Sequence, residues 1–178
     1  MKKMKNKRLI YHYDMSRHNE ACLDVINETM VGNYSLIKGD SSYKIDKRFL
    51  FNTKIKELMI DIQLSINDYV TNLELKPTLL SSSWFNILYK GGVVEKHQHA
   101  DSWDNKESSV VSGAYYPYVE ENSCPLLFGD GSIKESFNGL LIIFPSWLEH
   151  WTTPNKSDKR ITVSFNTIRK DVYLERSK

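Results

Sequence analysis

Two of the chain's five histidines, His97 and His99, stand one residue apart in the stretch GGVVEKHQHADSW, residues 91–103. In an extended strand residues i and i+2 project from the same face, so the two imidazoles would lie side by side. Neutral imidazole is the commonest side-chain metal ligand, and two on one face suit neighbouring positions on one ion. Ordinary surface histidines share this spacing, so HxH alone decides little. A third imidazole, His150, follows the apolar run LLIIF that ends at Pro145. Past a polar turn a strand begins near Arg160, with Arg160, Thr162 and Ser164 on one face and Ile161, Val163 and Phe165 on the other. An arginine inside such a buried pattern is costly without an anionic partner. Either it reaches solvent or Asp158 at the strand mouth, or it grips a ligand carboxylate in its guanidinium fork.

The elements that must position these groups differ between the two halves of the chain. After Pro77 the segments TLLSSSWFNILYKGG, SSVVSGAYYPYV, CPLLFGDG, NGLLIIFPSW and RITVSFNTI are short and rich in β-branched and aromatic residues. Gly, Pro, Asn and Asp bound them, and Asn138-Gly139 and GDGS (129–132) are turn chemistry. Before Pro77 the period is helical. Cys22, Leu23, Ile26 and Met30 share a face of a predicted helix from Ser16, its cap, to about Met30, with Gly32 suited to its end. Phe51, Ile55, Leu58, Ile62, Ile66 and Tyr69 mark a second helix between about Arg48 and Asn72. Helices followed by strands predict an α+β fold, an antiparallel sandwich or barrel buttressed by a helical layer.

Composition narrows the function classes. A hydrophobic share of 40% and a charged share of 26% are those of a globular protein, and the length suits one domain spanning residues 1–178. A net charge of +2 does not indicate a nucleic-acid partner. The basic stretch MKKMKNKR lacks the apolar run that a secretory signal needs after it, and reads as a solvated leader. No run of about 18 apolar residues is present to span a membrane. Cys22 and Cys124, without CxxC spacing, read as reduced thiols in a cytoplasmic setting.

Taken as an ordered set, these motifs resemble a known family. YKGGVVEKHQH is similar to the segment of prolyl-hydroxylase-like 2-oxoglutarate/Fe(II) dioxygenases in which a Tyr, a Gly pair and an HxD motif recur. SGAYYPYVEENSCPLLFGD resembles the strand pair that follows, and GLLIIFPSWLEHWTTPNKSDKRITVSFN the closing segment, where a His precedes a co-substrate-binding Arg or Lys by ten residues. The wording is closer still to a bacterial and phage branch of 2-oxoglutarate/Fe(II) oxygenases, over roughly residues 84–166.

The resemblance implies a double-stranded β-helix (jelly roll) over about residues 78–168, supported by helices over about 14–75. It implies Fe(II) held by His97 and His150, and 2-oxoglutarate held by Arg160, with help from Thr162 or a tyrosine such as Tyr115 or Tyr116. It also implies O2 and an unidentified substrate, hydroxylated as 2-oxoglutarate is decarboxylated to succinate. One position departs from the pattern: His99 stands where the family has its Asp ligand, so the usual 2-His-1-carboxylate triad is incomplete. His99 then ligates as a third imidazole, or Asp101 completes an HxD with His99 and leaves His97 outside, or the site has lost its metal. Two other functions fit the same residues. A cupin-like three-His dioxygenase without 2-oxoglutarate leaves Arg160 without a task, and a non-catalytic jelly-roll binding protein would hold no iron. Trp103, Trp147 and Trp151 are candidates to cover the site or to pack beside it, and His12 and His18 read as structural or surface residues.

Overall fold

The structure, a computed structural model, describes residues 9–100 and 109–176. Strand β1 (Tyr11–Asp14) leads through a 3-10 turn (Ser16–His18) into helix α1 (Asn19–Glu28). Strands β2 (Gly32–Tyr34) and β3 (Ile37–Ser41) follow, then helix α2 (Lys56–Asn72). The strand-rich half comprises β4 (Thr78–Tyr89), β5 (Val111–Val119), β6 (Leu126–Phe128), β7 (Ile133–Lys134), β8 (Leu140–Pro145), β9 (His150–Thr152) and β10 (Lys159–Arg169), before a short α3 (Lys170–Arg176). Among the described residues these strands pair with one another antiparallel throughout. The strands form a seven-stranded sheet in the order β1-β8-β5-β10-β4-β3-β2 and a three-stranded sheet in the order β7-β6-β9.

Strand alternation divides the molecule into layers. On one face of the large sheet Phe85, Tyr115, Leu141, Ile143, Ile161, Val163 and Phe165 pack against Cys22, Ile26, Leu58, Ile62, Ile66 and Tyr69 of α1 and α2. That is the expected supporting role of the two helices. On the other face Ala114, Tyr116, Leu140, Ile142 and Phe144 meet Leu126 and Phe128 of the small sheet. The run LLIIF is wholly apolar because its alternate side chains serve both layers.

Several boundaries differ from expectation. Helix α1 starts three residues after Ser16, whose amide donates to Asp14 Oδ1 at 2.8 Å. Gly32 opens β2 rather than ending α1, and Met30 is 76% exposed instead of joining the apolar face. The second helix is preceded by two 3-10 turns, Phe49–Phe51 and Thr53–Ile55, so α2 begins at Lys56. The strands β1, β2, β3, β7 and β9 are too short or too polar to stand out in the sequence. Cys22 and Cys124 are free and buried. Among the described residues no helix is long and apolar enough to cross a membrane.

The Asn138-Gly139 turn is used as expected. Gly139 has φ +87°, and a Cβ there would lie 2.5 Å from Ser16 Cα. Gly139→Ala therefore meets both a left-handed backbone and a backbone clash. It is expected to cost about 1–3 kcal/mol, read as a lower urea midpoint; an unchanged midpoint would contradict the close approach.

Candidate metal centre

The histidines meet at the end of the small sheet. His97 and His150 form an antiparallel bridge, with His97 N–H donating to His150 O at 3.1 Å and His150 N–H to His97 O at 2.9 Å. His99 N–H donates to Ser146 O at 2.8 Å, which fixes the same segment two residues on. The segment is thus extended although only bridged, and both of its imidazoles face one way. Ring centroids lie 4.9 Å apart for His97 and His99, 4.4 Å for His97 and His150, and 5.1 Å for His99 and His150. The nitrogens these three residues offer all lie within 4.8 Å of one another.

Their electrostatics suit ligation. Burial, reinforced by the other two imidazoles, pushes the pKa of His99 down to about 2. Burial and the neighbouring His97 push His150 down to about 3, and burial lowers His97 as well. All three rings are neutral at pH 7, which leaves one nitrogen lone pair on each. His97 Nδ1 lies 2.7 Å from Glu95 O and His150 Nδ1 lies 2.9 Å from Leu148 O. Carbonyl oxygens only accept, so both rings carry their proton on Nδ1 and keep the Nε2 lone pair free.

These shifts carry a stability consequence. Folded values below the unfolded value of about 6.5 mean that the unfolded chain binds more protons as pH falls from about 6.5 towards 3. Stability of the metal-free protein is then complete above about pH 6.5 and lost below it, His99 and His150 together contributing on the order of 2 kcal/mol between pH 7 and 5.5. Urea denaturation of metal-stripped protein at the two pH values checks this. A double variant, His99→Gln with His150→Gln, that kept the full pH dependence would contradict it.

The same cavity, of about 240 Å³, is lined by the three histidines and by Tyr116, Phe144, Arg160, Thr162 and Asn166. Arg160 is 1% exposed. Its Nη2 donates to Tyr116 Oη at 3.1 Å, and its guanidinium carbon lies 4.7 Å from the centre of that ring. Arg160 Nε and Thr162 Oγ1 are buried and have no hydrogen-bond partner among the described residues. Among the described residues no carboxylate pairs with this guanidinium, and Asp158 is not its partner. A buried cation with an unused donor, beside an unused hydroxyl, offers the hydrogen bonds that a carboxylate could take.

The two candidate tyrosines separate. At Pro117, β5 sets two residues, Tyr116 and Pro117, opposite Thr162 of β10, a bulge at the residue that lacks an N–H. Tyr116 faces the cavity, whereas Tyr115 points to the helical layer and donates to Asn19 Oδ1 at 2.5 Å. The expectation that Tyr115 helps hold a co-substrate is corrected: strand alternation puts it on the opposite face. Tyr118 also packs against the helical layer, because the bulge resets the alternation.

Other sequence candidates sort cleanly. Trp147 packs beside the inner apolar cluster and Trp151 lies under Lys96 Nζ at 5.1 Å, so neither lines the cavity. Asp101 and Trp103 lie outside the described residues. His18 is buried and bonded to Asp61 Oδ2 at 2.7 Å, a structural tie between the start of α1 and α2. Sequence reasoning missed Trp84, whose ring lies 6.1 Å from that of His99, and Asn166, which ends the Arg160, Thr162, Ser164 alternation. Extending that alternation by one step would have found Asn166.

The closing strands carry a sequence signature. Residues 132–166 match the sequence model of the family described as "Putative 2OG-Fe(II) oxygenase". The fold and this signature are those of the 2-oxoglutarate/Fe(II) oxygenase superfamily. Members of this superfamily are oxidoreductases that depend on Fe(II) and 2-oxoglutarate. A viral collagen prolyl hydroxylase from Paramecium Bursaria Chlorella virus-1, solved as a 2-oxoglutarate complex, is 13% identical with TM-score 0.66, covering 90% of this chain and 96% of that one. A Pseudomonas putida prolyl-4-hydroxylase is 12% identical with TM-score 0.67, covering 92% and 94%. HygX from Streptomyces hygroscopicus, solved with nickel and 2-oxoglutarate bound, is 10% identical with TM-score 0.68, covering 90% and 83%. No curated protein sequence matches the chain.

Proposed function

We propose that this oxygenase-fold protein is an Fe(II)- and 2-oxoglutarate-dependent dioxygenase that hydroxylates a substrate C–H bond. The observation that carries the reading is one cavity holding both three neutral imidazoles and a buried arginine with an unused donor. His97, His99 and His150 hold the metal; three neutral nitrogen donors suit a first-row divalent ion. Arg160 binds the distal carboxylate of 2-oxoglutarate, with Tyr116 bracing the guanidinium and Thr162 Oγ1 completing the receptor. Fe(II) with 2-oxoglutarate supplies oxidation by O2, one oxygen atom leaving in succinate as CO2 is released and the other going to the substrate. The protein's own contribution is orientation and exclusion of water. Phe144, its ring 4.7 Å from that of His150, closes the apolar side of the metal site.

The reading of a three-His dioxygenase without 2-oxoglutarate accounts for the imidazoles but leaves Arg160 buried and half satisfied. A non-catalytic jelly roll leaves both groups unexplained. The two free cysteines fit a reducing, cytoplasmic setting. Aerobic incubation with Fe(II) and 2-oxoglutarate tests the proposal: succinate should form above the level of the metal-stripped protein, slowly without substrate. Absence of succinate, with iron and 2-oxoglutarate both bound, would leave a binding protein on an oxygenase scaffold.

A further inference from the structure

His99 differs from its two companions in what holds its outer nitrogen. Among the described residues no backbone carbonyl is bonded to His99 Nδ1; the amide of Asn166 lies 3.4 Å away instead. The other end of that amide is 2.7 Å from Ser112 Oγ. A chain of hydroxyls continues from there: Ser112 Oγ to Ser146 Oγ at 2.8 Å, Ser146 Oγ to Ser109 Oγ at 2.7 Å, and Ser109 Oγ to Val111 O at 3.0 Å. Ser112 and Ser146 are fully buried, so no water stands between them, while Ser109 at the far end is half-buried.

Counting hydrogens favours one direction, with Thr167 Oγ1 a second donor to Val111 O at 2.9 Å and Thr167 N–H a donor to Ser109 Oγ at 3.2 Å. Each hydroxyl has one hydrogen to give, and a carbonyl has none. Val111 O therefore takes the hydrogen of Ser109, Ser109 takes that of Ser146, and Ser146 takes that of Ser112. Ser112 has none left for Asn166 and must accept from its NH2 group. The amide carbonyl then faces His99, a half-turn from the orientation with Nδ2 towards the ring; the two orientations occupy the same space. With the nitrogen towards His99, one of the four contacts would have no hydrogen in it, and Val111 O would keep Thr167 Oγ1–H as its only side-chain donor among the described residues.

We propose that Asn166 is the positioning residue of the third imidazole. Its carbonyl oxygen accepts from His99 Nδ1–H and holds the tautomer that keeps the Nε2 lone pair free, as Glu95 O and Leu148 O do for His97 and His150. The hydroxyl chain of Ser112, Ser146 and Ser109 locks the amide in that sense. The consequence for metal binding rests on the three-His reading above; the tautomer does not. A histidine in the position usual for an Asp ligand needs such a partner, because the other tautomer would point an N–H at the ion.

The test is long-range 1H–15N correlation of the imidazoles in metal-free, 15N-labelled protein at pH 7, with Co(II) titration of the same samples. The parent is expected to show His99 as the Nδ1–H tautomer. Asn166→Ala should move His99 towards Nε2–H while His97 and His150 stay unchanged, and should weaken Co(II) binding about 10- to 100-fold. Asn166→Asp, which can only accept, should restore both signals. Ser112→Ala, which frees the amide to turn, should mix the two tautomers. His99 as Nε2–H in the parent, or an unaltered tautomer and Co(II) affinity in Asn166→Ala, would overturn the proposal. A parent with the Nδ1–H tautomer and no Co(II) binding would instead uphold the hydrogen bond and defeat the metal reading.

Discussion

Replacing His150 by alanine is expected to abolish Fe(II) binding while leaving the fold in place. His150 has its Nδ1 anchored on Leu148 O and is bridged through its backbone to His97, so its Nε2 is held where the other two nitrogens converge. Losing a group that merely orients a ligand costs about 10- to 100-fold in metal affinity, and losing a ligand from a set of three exceeds that. The backbone bridge does not depend on the side chain, so circular dichroism should be unchanged, with a loss of about 1–2 kcal/mol from the contact with Phe144. His97→Ala should behave alike. Unchanged iron stoichiometry in both variants would remove His97, His99 and His150 as the metal site.

The second large effect concerns Arg160, where two readouts should move in opposite directions. Arg160→Met is expected to keep metal but lose 2-oxoglutarate, because the only buried guanidinium that lines the cavity among the described residues is gone. Truncating one partner of a buried, hydrogen-bonded charge pair costs about 2–5 kcal/mol, or roughly 30- to several-thousand-fold in Kd. In the absence of 2-oxoglutarate, however, the same variant should be at least as stable as the parent. A buried cation with an unsatisfied Nε opposes folding, and an apolar side chain of similar length removes that cost. Thermal unfolding of the metal-free proteins reads the second effect. A variant that bound 2-oxoglutarate like the parent would refute the anchoring role.

How far the sequence foretold this arrangement depends on the kind of signal. Periodicity was sufficient for α2, where Leu58, Ile62, Ile66 and Tyr69 are buried as their spacing predicts. It was also sufficient for β10, whose two faces divide as read, Ile161, Val163 and Phe165 towards the helices and Arg160, Thr162 and Ser164 towards the cavity. Short strands such as β9, three residues long, carry too little pattern to register, although His150 begins one. Tyr115 and Tyr116 were indistinguishable because both are aromatic neighbours in one strand; only the pairing of β5 with β10 says which face is which. Asn166 and Trp84 were missed for a different reason. The cavity face of Asn166 follows from the alternation of β10, but its partner His99, 67 positions away in sequence, does not, and Trp84 likewise gains its neighbour His99 only in the folded sheet.

The most direct test of the central claim is anaerobic titration of metal-stripped protein with Fe(II), with and without 2-oxoglutarate, followed by visible absorption. One iron per chain and a charge-transfer band that appears only when both are present are expected, because the imidazoles and Arg160 share one cavity. Iron that binds without the band, or no iron at all, would contradict the account.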